Sequence, residues 1–182
     1  MSLKLVLSGG FLAFTYSVYL VHAISAPLYD VKDDEHLLRR VHDTLTYLHH
    51  HNRLRAQHGA ESLTWNDDLA NAAQYWANQC GFRHSNGLMG PLGENLAAGA
   101  GPEYFTIENA LKIWADESSD YHSYNPVPSH FTQMVWKASR EVGCAVAECD
   151  GIFDASFGPA QFYVCEYAPA GNLIGQFAEN VA

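Results

Sequence analysis

Basic residues are scarce in this chain. Lys and Arg number 10 against 20 Asp and Glu over 182 residues, a formal net charge of −10 with histidine neutral. A chain this acidic has no electrostatic reason to seek phosphate, and no basic run interleaved with aromatics compensates, so nucleic acid is excluded as a partner. The same deficit removes anionic headgroups as a driving force. Cysteine is limited to Cys80, Cys144, Cys149 and Cys165, with none of the tight Cys-x-x-Cys spacing that a zinc cluster uses. There is no Asn-x-Ser/Thr sequon, no His-Glu-x-x-His and no Gly-x-Ser-x-Gly, which removes N-glycosylation and two familiar hydrolase signatures. Long apolar runs are also missing after the first two dozen residues, so stable membrane insertion is not expected.

What is present begins with an address. Lys4 precedes an apolar run from Leu5 to Val21, and Val21-His22-Ala23 ends in the small-residue pattern of a cleavage site. The run is short for a bilayer of ~30 Å and is broken by Gly9-Gly10 and by Thr15 to Ser17. Residues 1–23 therefore read as a signal peptide, with Ala26 a weaker second site, and the protein is expected outside the cell. An even cysteine count in a secreted chain argues for two disulfides, and sequence alone allows three connectivities.

Residues 24–40 read as an acidic, loose lead-in, and 41–182 as one folded domain of ordinary size. Leu37, Val41, Leu45 and Leu48 fall at helical spacing, so a first helix begins inside or just after the lead-in and stops at Gly59. Asn66 is a fitting N-cap for a second helix, with Leu69, Ala73, Trp76, Ala77 and Cys80 on one face. A glycine-rich connection follows, with a short strand at Glu94 to Ala97. It lacks the Lys and the helix start that phosphate binding requires. Thr106 caps a third helix with Ile107, Ala110, Leu111 and Trp114 inward. "VGCAVAEC" and "QFYVCEYAP" alternate as paired strands around the turn-rich "DGIFDASFGPA". Helices before paired strands indicate α+β layers around one sheet. The four tryptophans read as core, and of His49, His50 and His51 only His51 faces inward, since consecutive helical positions point about 100° apart.

Four polar residues occupy awkward neighbourhoods: His84 in "CGFRHS", Glu94 in "GEN", Glu117 three residues after Trp114, and His130 opening "SHFTQMVWKAS". Two imidazoles and two carboxylates pair as charge-assisted hydrogen bonds or chelate a cation. Catalytic zinc usually takes three protein ligands. Two histidines fall short of that, so the chain reads as a non-enzyme with no required cofactor. The alternatives are a metal-dependent hydrolase in which one of these carboxylates serves as a further ligand, and a purely structural or signalling scaffold. Zinc or another divalent ion held by His84 and His130 stays compatible.

"HNRLRAQHGAESLTWNDDLANAAQYWANQC", "FRHS", "GEN", "WADE", "SHFTQMVWKAS" and "YVCEYAPAGNLIG" occur in the order seen in the CAP superfamily, and Leu45 to Gly175 resembles its fungal and plant pathogenesis-related branch. The resemblance implies a three-layer α-β-α sandwich with a central, mostly antiparallel sheet. It implies a cleft lined by the tetrad His84, Glu94, Glu117 and His130, with His51-Asn52 matching a His-Asn pair on the first helix. It also implies the pairing Cys80–Cys149 and Cys144–Cys165. Secreted relatives bind fatty acids in a cleft between helices, and sterols through a loop matched here by Tyr121, Tyr124, Pro126, Val127 and Pro128. The implied activity is capture of a small hydrophobic ligand by a monomer, in defence, virulence or lipid export. Four features depart from the pattern. Ser129 precedes the histidine, Glu166 stands where Asn or another polar residue is usual, the Tyr121–Ser129 loop has no cysteine, and "GQFAENVA" lacks the Pro-Tyr ending of plant relatives.

Overall fold

The computed structural model describes residues 31–100 and 105–181. The signal-peptide assignment and the first part of the lead-in lie outside the described residues. From Val31 onward the lead-in is not loose. It is the first half of helix α1 (Val31–Gln57), and Leu37, Val41 and Leu45 on it are exposed, so that half contributes nothing to the core. The helix ends at Gly59, whose φ of +64° costs glycine nothing sterically.

Strand β1 (Thr64–Trp65) leads into α2 (Asp67–Ala77), whose N-cap Asn66 accepts from the N–H groups of Asp68 and Leu69. Cys80 is not on the α2 face as its spacing predicts. The helix ends three residues earlier, and Cys80 adopts φ 53° to reach Cys149. Next come β2 (Gly93–Ala100), longer than its expected four residues, then α3 (Ile107–Asp116) and a 3-10 turn (Glu117–Asp120). Helix α4 (His130–Val135), β3 (Glu141–Cys149), β4 (Ala160–Ala168) and α5 (Phe177–Asn180) complete the order.

The sheet runs β1-β3-β4-β2, with β1 parallel to β3 and the other pairs antiparallel. Alternation divides it cleanly. Ala145, Phe162, Val164 and Leu96 face α2 through Ala73, Trp76 and Ala77, while Cys144, Tyr163, Cys165, Tyr167 and Ala97 face α1 and α3 through Tyr47, Leu111 and Trp114. The result is the expected three-layer α+β sandwich. Gly143 allows α2 to lie this close: a Cβ there would fall 2.1 Å from Ala70 N. Both disulfides take the implied pairing, Cys80–Cys149 and Cys144–Cys165. The second joins residues directly opposite each other on β3 and β4.

Candidate functional site

β2 is an edge strand, and the four residues of the expected tetrad form two separate His–Glu pairs, one of which includes Glu94 of that strand. Glu94 shares the Leu96 face of β2, on the α2 side. It accepts from His84 Nδ1 at 2.6 Å and from the Ser85 N–H at 3.0 Å. Glu117, at the C-terminal end of α3, accepts from His130 Nδ1 at 2.6 Å and from the N–H groups of His130 and Phe131 at 2.7 and 3.2 Å. Those two N–H groups are orphan donors of the α4 start, so Glu117 caps that helix while it fixes the imidazole. Asn95 Nδ2 donates to His130 O at 3.1 Å, tying β2 to the second pair. The His130 ring stacks on Trp114 at 5.9 Å, and Trp114 Nε1 donates to Leu96 O at 2.9 Å. Asn95 and Trp114 thus tie the second pair to β2, the strand that carries Glu94 of the first.

In both histidines Nδ1 donates to a carboxylate, which leaves the Nε2 lone pair of the neutral ring as the acceptor. Among the described residues no group of three or more His, Cys, Asp or Glu side chains is placed to hold a metal ion.

The loop predicted to contact sterol divides. Tyr121 packs on Phe131 at 6.0 Å, and with Val127, Pro128 and His130 it bounds a cavity of about 350 Å³. Tyr124 is 84% exposed, stacks on His122 at 5.2 Å, and with Pro126 stays outside that cavity.

Several residues that hold the site escaped the sequence reading. Arg55 is fully buried and donates to Glu61 O, Met134 O, Trp136 O and Ser139 O at 2.7 to 3.0 Å. It clamps the segment that carries His130. Burial lowers its pKa to about 10, so it keeps its charge at neutral pH. Position 55 lies on a helix with other basic residues nearby, and nothing local marks it as interior. Gln133 accepts from the Gly171 N–H at 2.8 Å and donates to Ser139 Oγ at 3.2 Å. His51 does face inward: Nε2 meets Tyr167 Oη at 2.7 Å, and burial lowers its pKa to about 4. Glu166, singled out in the sequence as a departure, lies directly opposite Glu94 across β2–β4, fully buried, with neither oxygen hydrogen-bonded. Burial first and the Glu94 charge second raise its pKa to about 9, so it is neutral at pH 7. The signal in the sequence was the acid standing where Asn or another polar residue is usual.

Residues 48–167 match the CAP family, described as the Cysteine-rich secretory protein family. The chain belongs to this family. The fungal relatives include Protein PRY2 of Saccharomyces cerevisiae, 40% identical over 72% of this chain and 38% of its own length. Fruiting body protein SC14 of Schizophyllum commune is 38% identical over 68% of this chain and 60% of its own. A probable pathogenesis-related protein of Arthroderma benhamiae is 33% identical over 73% of this chain and 46% of its own. The chain therefore spans well under two thirds of each of these relatives. Among solved structures, venom allergen-like protein 4 of Schistosoma mansoni superposes with a TM-score of 0.56 at 26% identity, covering 70% of this chain and 88% of that one. NaASP2, solved with Zn2+, gives 0.59 at 24% identity over 73% and 83% of the two chains, a likeness of fold. No described helix is long and apolar enough to cross a membrane.

Proposed function

We propose that this family member is a secreted monomer that binds a fatty acid in the groove between α1 and α3. The observation that carries the reading is the lining of that groove. A cavity of about 350 Å³ is lined by the apolar Leu54, Leu111, Ala115 and Met134 together with Arg53, Lys112, His50, Gln57 and Glu108. Apolar walls beside the cations Arg53 and Lys112, with Glu108 the one acid in the lining, suit an acyl chain that ends in a carboxylate. Each buried methylene contributes ~0.8 kcal/mol, so about ten match the ~8 kcal/mol of a micromolar complex before the costs of association. Defence, virulence and lipid export are all processes that capture of a small hydrophobic compound would serve.

Sterol is the second reading, favoured by the Tyr121–Val127–Pro128 cavity beside His130. Glu117 and Asp120 in the same wall make it less suited to a rigid apolar ring system. The His–Glu pairs support a polar scaffold over a hydrolase, because each glutamate already binds an imidazole and main-chain N–H. Zinc or another divalent ion at His84 and His130 would be an accessory held by two nitrogens.

Radiolabelled palmitate and cholesterol, offered in parallel to purified protein, test the proposal. Palmitate is expected to bind, and R53E/K112E to weaken it about tenfold while leaving hexadecanol, which lacks the carboxylate, unchanged. Cholesterol binding without palmitate binding would transfer the function to the loop cavity. An equal loss of both ligands in the double variant would remove the carboxylate contact.

A further inference from the structure

β1 is two residues long, and its shortness leaves part of β3 without a neighbour. Thr64 and Trp65 pair with Glu141 and Val142, after which the chain turns at Asn66 into α2. β3 continues to Cys149. Main-chain groups along a strand point alternately to its two sides. Val142 O accepts from Asn66 N on the β1 side, so Cys144 and Val146 turn their N–H and C=O groups the same way, where no strand stands among the described residues. Gln74 Nε2 reaches Val146 O at 3.2 Å, a side-chain amide in the place of a missing strand.

This open lane is part of a cavity of about 380 Å³ between α1 and α2. Tyr47 and Trp65, stacked at 6.0 Å, form one wall. The Tyr47 hydroxyl is buried and has no hydrogen-bond partner, the kind of unmet group that a ligand satisfies. His36 and Arg40 stand exposed at the rim, and Arg40 makes no salt bridge among the described residues. Asp43 also lines the cavity. The lipid groove uses a different stretch of α1, from His50 to Gln57, so the two sites are independent.

We propose that this cavity takes a short extended peptide as an added strand along β3 at Cys144–Val146, with an acidic side chain at His36 and Arg40. A peptide main chain offers a donor and an acceptor from alternate residues on one side, which matches the Cys144 N–H and C=O and the Val146 N–H. Its own N–H would take the place of the Gln74 amide on Val146 O. Its intervening side chains face Tyr47 and Trp65. Arg40 selects a carboxylate at the mouth.

Amide exchange and titration of 15N-labelled protein with N-acetyl-Thr-Val-Thr-Glu-amide test this. In the free protein the Cys144 amide should exchange about tenfold or more faster than that of Ala145, which points to β4. Saturating peptide should protect Cys144 and Val146. N-methylation of the alternate peptide amides should weaken binding about tenfold, and Arg40→Glu should do the same for the acidic peptide but favour one ending in Lys. The Arg40 side chain is on the surface, and an unchanged spectrum of the variant confirms its fold. Equal protection of Cys144 and Ala145 in the free protein would overturn the proposal. So would equal binding of the methylated peptide, or Tyr47 shifts with benzoate and none with peptide.

Discussion

Glu166→Gln is the most informative single change. Glu94 and Glu166 face each other in β2 and β4, where like charges oppose, and Glu166 is sealed from solvent. Its folded pKa of about 9 lies above the reference 4.5. The contribution of this group is therefore complete below pH 4.5 and declines as pH rises towards 9, because the unfolded chain ionises there and the folded chain does not. His51 acts in the opposite sense. Its folded pKa of about 4, below the reference 6.5, gives stability that is present above pH 6.5 and is lost on acidification towards 4. The two slopes oppose one another between pH 4.5 and 6.5, so the clean window for Glu166 opens above 6.5. At about 1.4 kcal/mol per pH unit, raising the pH from 6.5 to 8.5 should cost wild type roughly 3 kcal/mol through this group. Gln has nearly the same shape and no proton to lose. Urea denaturation at both pH values, disulfides intact, should show Glu166→Gln gaining on wild type by roughly that amount. Parallel pH dependence in the two proteins would mean that Glu166 is not held neutral, and the reasoning would fail.

Arg55→Met should destabilise by at least about 3 kcal/mol, because it strands buried carbonyl oxygens of residues 134, 136 and 139; a loss under 1 kcal/mol in thermal unfolding would contradict the clamp. Gly143→Ala puts a methyl group against the α2 backbone and should cost about 1–3 kcal/mol as overpacking, measured by denaturant midpoint. Glu117→Ala removes the α4 cap as well as the imidazole partner and should cost about 1–3 kcal/mol. His130→Ala removes only the pair, and equal losses in the two variants would rule out the capping role. Replacing Cys80 and Cys149 together by Ala, a link over 69 residues, should cost about 2–5 kcal/mol in calorimetry.

The local rules were legible in the sequence wherever the chain speaks for itself. Asn66 and Thr106 announce their helices, and the period-2 pattern of "VGCAVAEC" and "QFYVCEYAP" announces two paired strands, because caps and alternation depend on residues within one turn or one strand. The two His–Glu pairs involve residues that the sequence had singled out, because each stands in a short motif. Other features exist only after folding. Arg55 becomes interior when α4 and the segment after it close over α1, and Glu166 becomes a neutral carboxyl only when β2 sets Glu94 opposite it and α2 seals that face. The end of α2 before Cys80 answers to the position of Cys149, 69 residues away, and the open edge of β3 comes from the early turn of β1 into α2. Sequence determined which segments would form and which chemistry they carry. Tertiary contact decided which charges survive burial and which backbone groups remain unpaired, since both depend on neighbours distant along the chain.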